Sequence, residues 1–281
     1  MSISGGIQKF LVFNCLFLGL IASCAESPSE SPVRAVGQKQ RQAKSKPTNS
    51  SSSSELVISA AASMQKVLQE IRTVYNQQYP QTKIVFNFGS SGLLQHQIEQ
   101  GAPVDLFISA ASRQMNNLAD KQLIISESRQ NLVKNQMVLV VPKNSQAIAS
   151  FADLAQQSVG QIALGEPKSV PAGEYAREIL TSLNIADAVA SKAVYGKDVR
   201  QVFNYVATGN TDAGIVYQTD ALDAERVKTI DIAPEAAYSA IVYPAAIVRE
   251  SKNVKTAQEF LHFLVSHEAQ TIFQRHGFIS L

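Results

Sequence analysis

Cysteine is nearly absent from this chain: there are two in 281 residues, Cys15 and Cys24, both close to the N-terminus. Nothing beyond residue 24 can therefore form a disulfide or a cysteine zinc site, and a stapled scaffold is excluded. Histidine is scarce as well. His96, His262, His267 and His276 show no HExxH spacing and read as surface or packing residues, so no cation site is expected. Neither GxGxxG nor a P-loop occurs, and Gly89-Ser90-Ser91-Gly92 is not the GxSxG nucleophile elbow. Charge of one sign is lacking too. A formal net charge of +2, with no dense Lys/Arg stripe, argues against nucleic acid or an anionic membrane surface as partner.

What the chain does have begins with an address. Residues 10–22 form an apolar run behind Lys9, broken only by Asn14 and too short to span a bilayer comfortably. It fits a signal peptide over 1–23. Ile21-Ala22-Ser23-Cys24 resembles the bacterial lipobox, in which Cys24 becomes the lipidated first residue of the mature protein. Residues 25–54 are rich in Ser, Pro, Gln and Lys and end in a serine run, too polar to order themselves. The expectation for 24–54 is a lipidated cysteine and a disordered tether, with the fold starting near Glu55. The protein is then extracytoplasmic and anchored to a membrane.

The body is 45% hydrophobic when counted with the leader, enough for one or two domains with a sizeable core. Strand signals at 56–60, 83–88 and 104–109 alternate with helical stripes. The first stripe runs through Met64, Val67, Leu68, Ile71, Val74 and Tyr75. Ser63 suits its N-cap, Pro80 lies past its end, and Gly101 stops the second helix. The pattern then restarts: strands at 137–141, 161–164 and 212–217, a helix packing through Tyr175 and Ile179, and another from Asp198 that Gly209 ends. A strand over 242–248 contains Pro244, which predicts an edge or a crossing segment. One closing helix is expected from Val254 to near Gly277.

Such alternation predicts an α/β protein with parallel sheets in two lobes. Ligands of these sheets sit beyond the carboxyl ends of the strands, where helices begin. Ser63 and Ser91 both fall at such junctions. A helix N-terminus offers unpaired N–H donors and about half a positive charge, and a serine adds a neutral hydroxyl. The pair suggests a small oxyanion held by uncharged groups. Taken alone, Ser63 reads as a cap and Ser90-Ser91 as a tight turn; Tyr217 reads equally as a core tyrosine.

Several ordered blocks carry a resemblance. Ala60-Ala61-Ala62-Ser63, Phe88-Gly89-Ser90-Ser91-Gly92, the segment from Gly101 to Ala110, Val170-Pro171-Ala172-Gly173, Asp198-Val199-Arg200, Gly214-Ile215-Val216-Tyr217 and Tyr243-Pro244 resemble the molybdate-binding proteins of bacterial ABC importers. The similarity spans roughly residues 55–281. It implies a type II periplasmic-binding-protein fold, with two lobes joined by a two-strand hinge and the ligand cleft between them. Residues 55–136 with 243–281 would form lobe 1, and 137–242 lobe 2. It also implies that molybdate or tungstate is held by Ser63, Ser91, Ala172, Val199 and Tyr217, with molybdenum present only as the oxyanion. The expected partners are that ion, the membrane permease and the lipid anchor; the expected state is a monomer without cofactor or enzymatic activity. Two alternatives stand beside it: another tetrahedral oxyanion such as sulfate, and a secreted hydrolase using Ser63 or Ser91.

Overall fold

Residues 54–222 and 225–281 are described in a computed structural model. The expected signal peptide, Cys24 and all but the last residue of the tether lie outside them.

The chain opens with β1 (Ser54–Ala61), a 3-10 turn (Ala62–Met64) and α1 (Gln65–Gln78). Next come β2 (Thr82–Gly89), α2 (Ser91–Glu99), β3 (Leu106–Ile108), α3 (Ser112–Asp120) and β4 (Gln130–Asn135). After Gln136 a second set follows: β5 (Met137–Pro142), β6 (Ile162–Gly165), α4 (Pro171–Ser182), α5 (Ala186–Ala190) and β7 (Ala193–Gly196). It continues with α6 (Val199–Ala207), β8 (Ala213–Tyr217), α7 (Gln218–Ala221) and β9 (Val227–Ile232). The chain ends with β10 (Ile241–Ile247), α8 (Val254–Leu264) and α9 (His267–Arg275).

These strands make two five-stranded sheets, ordered β2-β1-β3-β10-β4 and β7-β6-β8-β5-β9. The sheets are mixed rather than wholly parallel. β2, β1 and β3 run parallel, as do β7, β6 and β8, each joined by the helical crossovers that parallel pairing needs. β10 is antiparallel to β3 and β4, and β5 is antiparallel to β8 and β9. Both antiparallel central strands, β5 and β10, are the ones the chain enters on passing from one sheet to the other.

The apolar stripe of α1 is buried as its spacing predicts, through Val67, Leu68, Ile71 and Tyr75. Tyr75 meets Phe260 of α8 edge-on at 5.0 Å, which ties the last helices to the first. Other expectations change or narrow. Ser63 does not cap α1: Met64 holds the cap position, and Ser63 lies within the 3-10 turn. α2 begins at Ser91, and Ser90 caps it, its hydroxyl accepting from the Leu93 N–H. Pro244 is not at an edge; it lies in interior β10, a strand entered at a crossing between the sheets, where a bulge between Tyr243 and Pro244 absorbs the missing donor. The closing helix is two, since the Ser266 hydroxyl accepts from Ala269 N–H and starts α9 afresh.

The register explains how the junctions come together. Ala61 pairs with Gly89 at the ends of β1 and β2, so Ser63 and Ser91 each follow by two residues. Gly165 pairs with Gly196 at the ends of β6 and β7, and α4 and α6 begin just beyond. There the backbones touch closely: a Cβ on Gly173 would stand 2.0 Å from the Gly165 carbonyl oxygen. Backbone cannot rotate aside, so Gly173→Ala must push α4 off β6. We expect it to cost about 1–3 kcal/mol, the usual range for overpacking, read as a lower midpoint in urea denaturation.

Candidate functional site

Ser63, Ser91, Ala172, Val199 and Tyr217 line one small cavity, Ser63 and Ser91 from the first-sheet side and the other three from the second. The centre of a water-sized sphere can move over about 10 Å³ of it, about the space of one water molecule and too little for a sugar or an amino acid. No lysine, arginine or histidine lines it. Asp198 is its one acidic residue, and that carboxylate accepts from Gln201 N–H at 2.9 Å to cap α6.

Each residue presents a donor. Ser91 is fully buried, and its Oγ accepts from the Ala110 N–H at 2.9 Å, which leaves its own proton to be given elsewhere. Ser63 is half-buried in its turn, its Oγ 3.0 Å from Tyr243 Oη. Ala172 and Val199 sit in the first turns of α4 and α6, where N–H groups have no acceptor within the helix. Pro171 ahead of Ala172 fixes a helical φ and removes a donor that would otherwise compete.

Tyr217 is the most telling. It is 1% exposed, and its hydroxyl has no hydrogen-bond partner among the described residues. A buried phenol left unpaired costs about 1–3 kcal/mol, and among the unpartnered buried groups Tyr217 is the one that lines this cavity. Burial, reinforced by Tyr243 and Tyr175, holds its pKa well above the ordinary tyrosine value. It therefore keeps its proton and can only donate to an anion.

A larger cavity of about 310 Å³ shares Ala62 and Ser63 with this one but none of the other four residues. Its wall is charged, with Lys66, Arg200, Asp220, Arg275 and His276. Arg275 and His276 are engaged with Glu70, and Arg200 Nη1 lies 3.3 Å from Asp220 Oδ1. Burial pushes the Asp220 carboxyl up to about 6, with Arg200 acting against it.

Contacts run across the cavity's rim between the two halves. Gly92 N–H donates to Ser169 O at 3.0 Å, and Arg113 pairs with Glu174 at 2.8 Å. Neither Ser63 nor Ser91 has a histidine or carboxylate as hydrogen-bond partner, the arrangement a serine nucleophile requires. Tyr243 and Asn135, which stand behind Ser63, escaped the sequence reading. Tyr243 had a signal in the Tyr243-Pro244 block; Asn135, in a polar strand, had none.

Residues 56–279 match the profile of the bacterial extracellular solute-binding protein family. The Bacillus subtilis protein named "Putative ABC transporter substrate-binding lipoprotein YvgL" is 49% identical over 82% of this chain and 88% of its own. The molybdate-binding protein ModA of Haemophilus influenzae is 37% identical over 80% of this chain and 90% of its own. The solved periplasmic molybdate-binding protein of Azotobacter vinelandii shares the fold, with a TM-score of 0.73 at 24% identity over 80% of this chain and 99% of that one. These relatives are transport binding proteins rather than enzymes. On the profile match and the identity to these relatives, the chain is a member of the bacterial extracellular solute-binding proteins.

Proposed function

We propose that the protein captures molybdate or tungstate outside the cytoplasm and delivers it to an ABC permease. The observation that carries this reading is a cavity without basic side chains, its one carboxylate capping α6, in which the buried Tyr217 hydroxyl lacks an acceptor among the described residues. Molybdate is fully deprotonated near neutral pH and can only accept hydrogen bonds, so two serines, a tyrosine and two helix-end amides suit it. A singly protonated phosphate would need an acceptor as well. The N-termini of α2, α4 and α6 and the turn before α1 contribute about half a positive charge each, roughly balancing a dianion. No buried lysine is then stranded when the ion leaves.

In this reading Ser63, Ser91, Ala172, Val199 and Tyr217 contact the ion, and no cation, cofactor or catalytic residue takes part. Residues 55–136 with 243–281 act as one lobe and 137–242 as the other. The strand composition of the two sheets supports the division, although β10 already pairs with β4 from Ile241 onward. The chain crosses at Gln136 and again before β10, and closure about these crossings reports occupancy to the permease. The relative named as a lipoprotein supports the export route; in the proposal Cys24 is the anchor and the body is a monomer on a tether.

A thermal-shift screen of molybdate, tungstate, sulfate and phosphate tests the assignment, because a ligand bound only by the folded state raises its melting temperature. Molybdate and tungstate should raise it at concentrations where sulfate and phosphate do not; no response to any of the four defeats the reading, and a sulfate-first order replaces the ligand.

Ser63→Ala should weaken molybdate by about 1.5–3 kcal/mol, the span for a hydrogen bond to a charged group. Unchanged affinity by calorimetry would remove Ser63 from the site.

Closure has its own test. A Cβ on Gly92 would lie 2.5 Å from Ser169 O across the rim. Gly92→Val should hold the halves apart, reducing the molybdate-induced rise in melting temperature while the ligand-free protein melts nearly as before.

For the anchor, detergent-phase partitioning of the full chain compares wild type with Cys24→Ala. The variant should move to the aqueous phase; equal partitioning dismisses the lipid.

A further inference from the structure

We propose that Asn135 and Tyr243 are positioning residues whose hydrogen-bond relay orients Ser63 as a donor toward the bound ion. The inference rests on the oxyanion reading of the cavity and deepens it.

The direction of the relay follows from counting protons. Asn135 closes β4 and is 6% exposed. Its Oδ1 accepts from Gln136 N–H at 2.9 Å, and a backbone donor at that oxygen fixes which way the amide faces. Its Nδ2 then has two protons and two acceptors: Thr219 Oγ1 at 2.9 Å and Tyr243 Oη at 3.2 Å. Tyr243 Oη is thus a receiver on one side. Its own proton has Ser63 Oγ, at 3.0 Å, as the hydrogen-bond acceptor available to it.

Tyr243 is 0% exposed, its ring 5.9 Å from that of Tyr217 and 5.5 Å from that of Phe278. If Ser63 donated instead, the phenolic proton would be stranded without water or protein acceptor, the costly case for a buried group. Burial also raises the Tyr243 pKa, so the phenol remains a donor. The order is therefore Asn135 Nδ2–H to Tyr243 Oη–H to Ser63 Oγ, with the Ser63 proton left over for the cavity. Ser91 reaches the same state through a rigid backbone donor, Ala110 N–H. Ser63 depends on side chains from β4 and β10, the strands at the two crossings.

The sharpest probe reverses the relay. Asn135→Asp keeps the Oδ1 contact to Gln136 N–H but puts an acceptor beside Tyr243 Oη. The phenol then donates backward, Ser63 donates to the phenol, and lone pairs face the ion. Molybdate affinity of purified wild type, Tyr243→Phe, Asn135→Asp and the double variant would be measured by calorimetry, with circular dichroism melts as a folding control. We expect Tyr243→Phe to bind about tenfold more weakly, one hydrogen bond's worth. Asn135→Asp should lose more than tenfold beyond that, yet add less than about threefold in the Tyr243→Phe background, a coupled pair by the double-mutant criterion.

A purely electrostatic or structural effect of the new carboxylate would be as large without the tyrosine hydroxyl as with it, and that result overturns the relay. Wild-type affinity in Tyr243→Phe overturns it too. Should Asn135→Asp not fold, Asn135→Leu removes the donor without a charge. The relay then requires its loss to match that of Tyr243→Phe and not to add to it; additive losses reject the relay. Absence of molybdate binding in the wild type defeats the oxyanion reading itself, a different outcome from binding that the variants leave unchanged.

Discussion

A helix cannot satisfy the N–H groups of its own first turn, and this fold turns that deficit toward one point. The parallel pairing of β1 with β2 and of β6 with β7 brings the carboxyl ends of neighbouring strands level. Each is followed within a few residues by a helix start or turn, so orphan donors from both sheets face the same small space. Short loops make this possible only if the backbones nearly touch, which is why glycine occupies positions 165 and 173. The cavity's chemistry is therefore a consequence of sheet register and loop length, and the side chains that matter are the few that add hydroxyls to the amides.

Most of that scaffold is legible in the sequence because it is periodic. The α1 stripe, the buried β5 and β8 runs, the Asp198 cap and the glycines at 101 and 209 announce themselves by spacing or residue type, and both glycines have φ above +70° in the structure. What sequence reasoning missed lacks a period. β4, Gln-Asn-Leu-Val-Lys-Asn, is mostly polar, and β9 alternates weakly, so neither stands out as a strand. The split between α8 and α9 turns on one serine hydroxyl inside a continuous apolar pattern.

The candidate site shows the same division more sharply. Ser91 falls at a strand-to-helix junction that the sequence shows locally, whereas Ala172 and Val199 look like ordinary first-turn residues and are singled out only by the resemblance. Ser63 looks local too, and its expected capping role was wrong: its hydroxyl is engaged by Tyr243, 180 residues away. Tyr217 could be read as a core tyrosine from sequence alone. Its lack of a partner is a three-dimensional fact, decided by what the second sheet fails to place near its hydroxyl.

Where the polar groups behind the cavity lie also bears on movement. Asn135 precedes the first crossing, Tyr243 sits at the bulge after the second, and Thr219, the other acceptor of Asn135, belongs to α7 directly after Tyr217. A chain of hydrogen bonds thus runs from the cavity wall through both crossings to the helix following the orphan tyrosine. In the proposed closure, rotation of the two halves about those crossings would strain this chain at its buried middle, where Asn135 and Tyr243 are 6% and 0% exposed. On the proposed reading, the groups that orient the Ser63 hydroxyl sit at the crossings about which the halves would close. A ligand that needs the Ser63 proton would then favour the arrangement in which the chain is intact, coupling binding to closure.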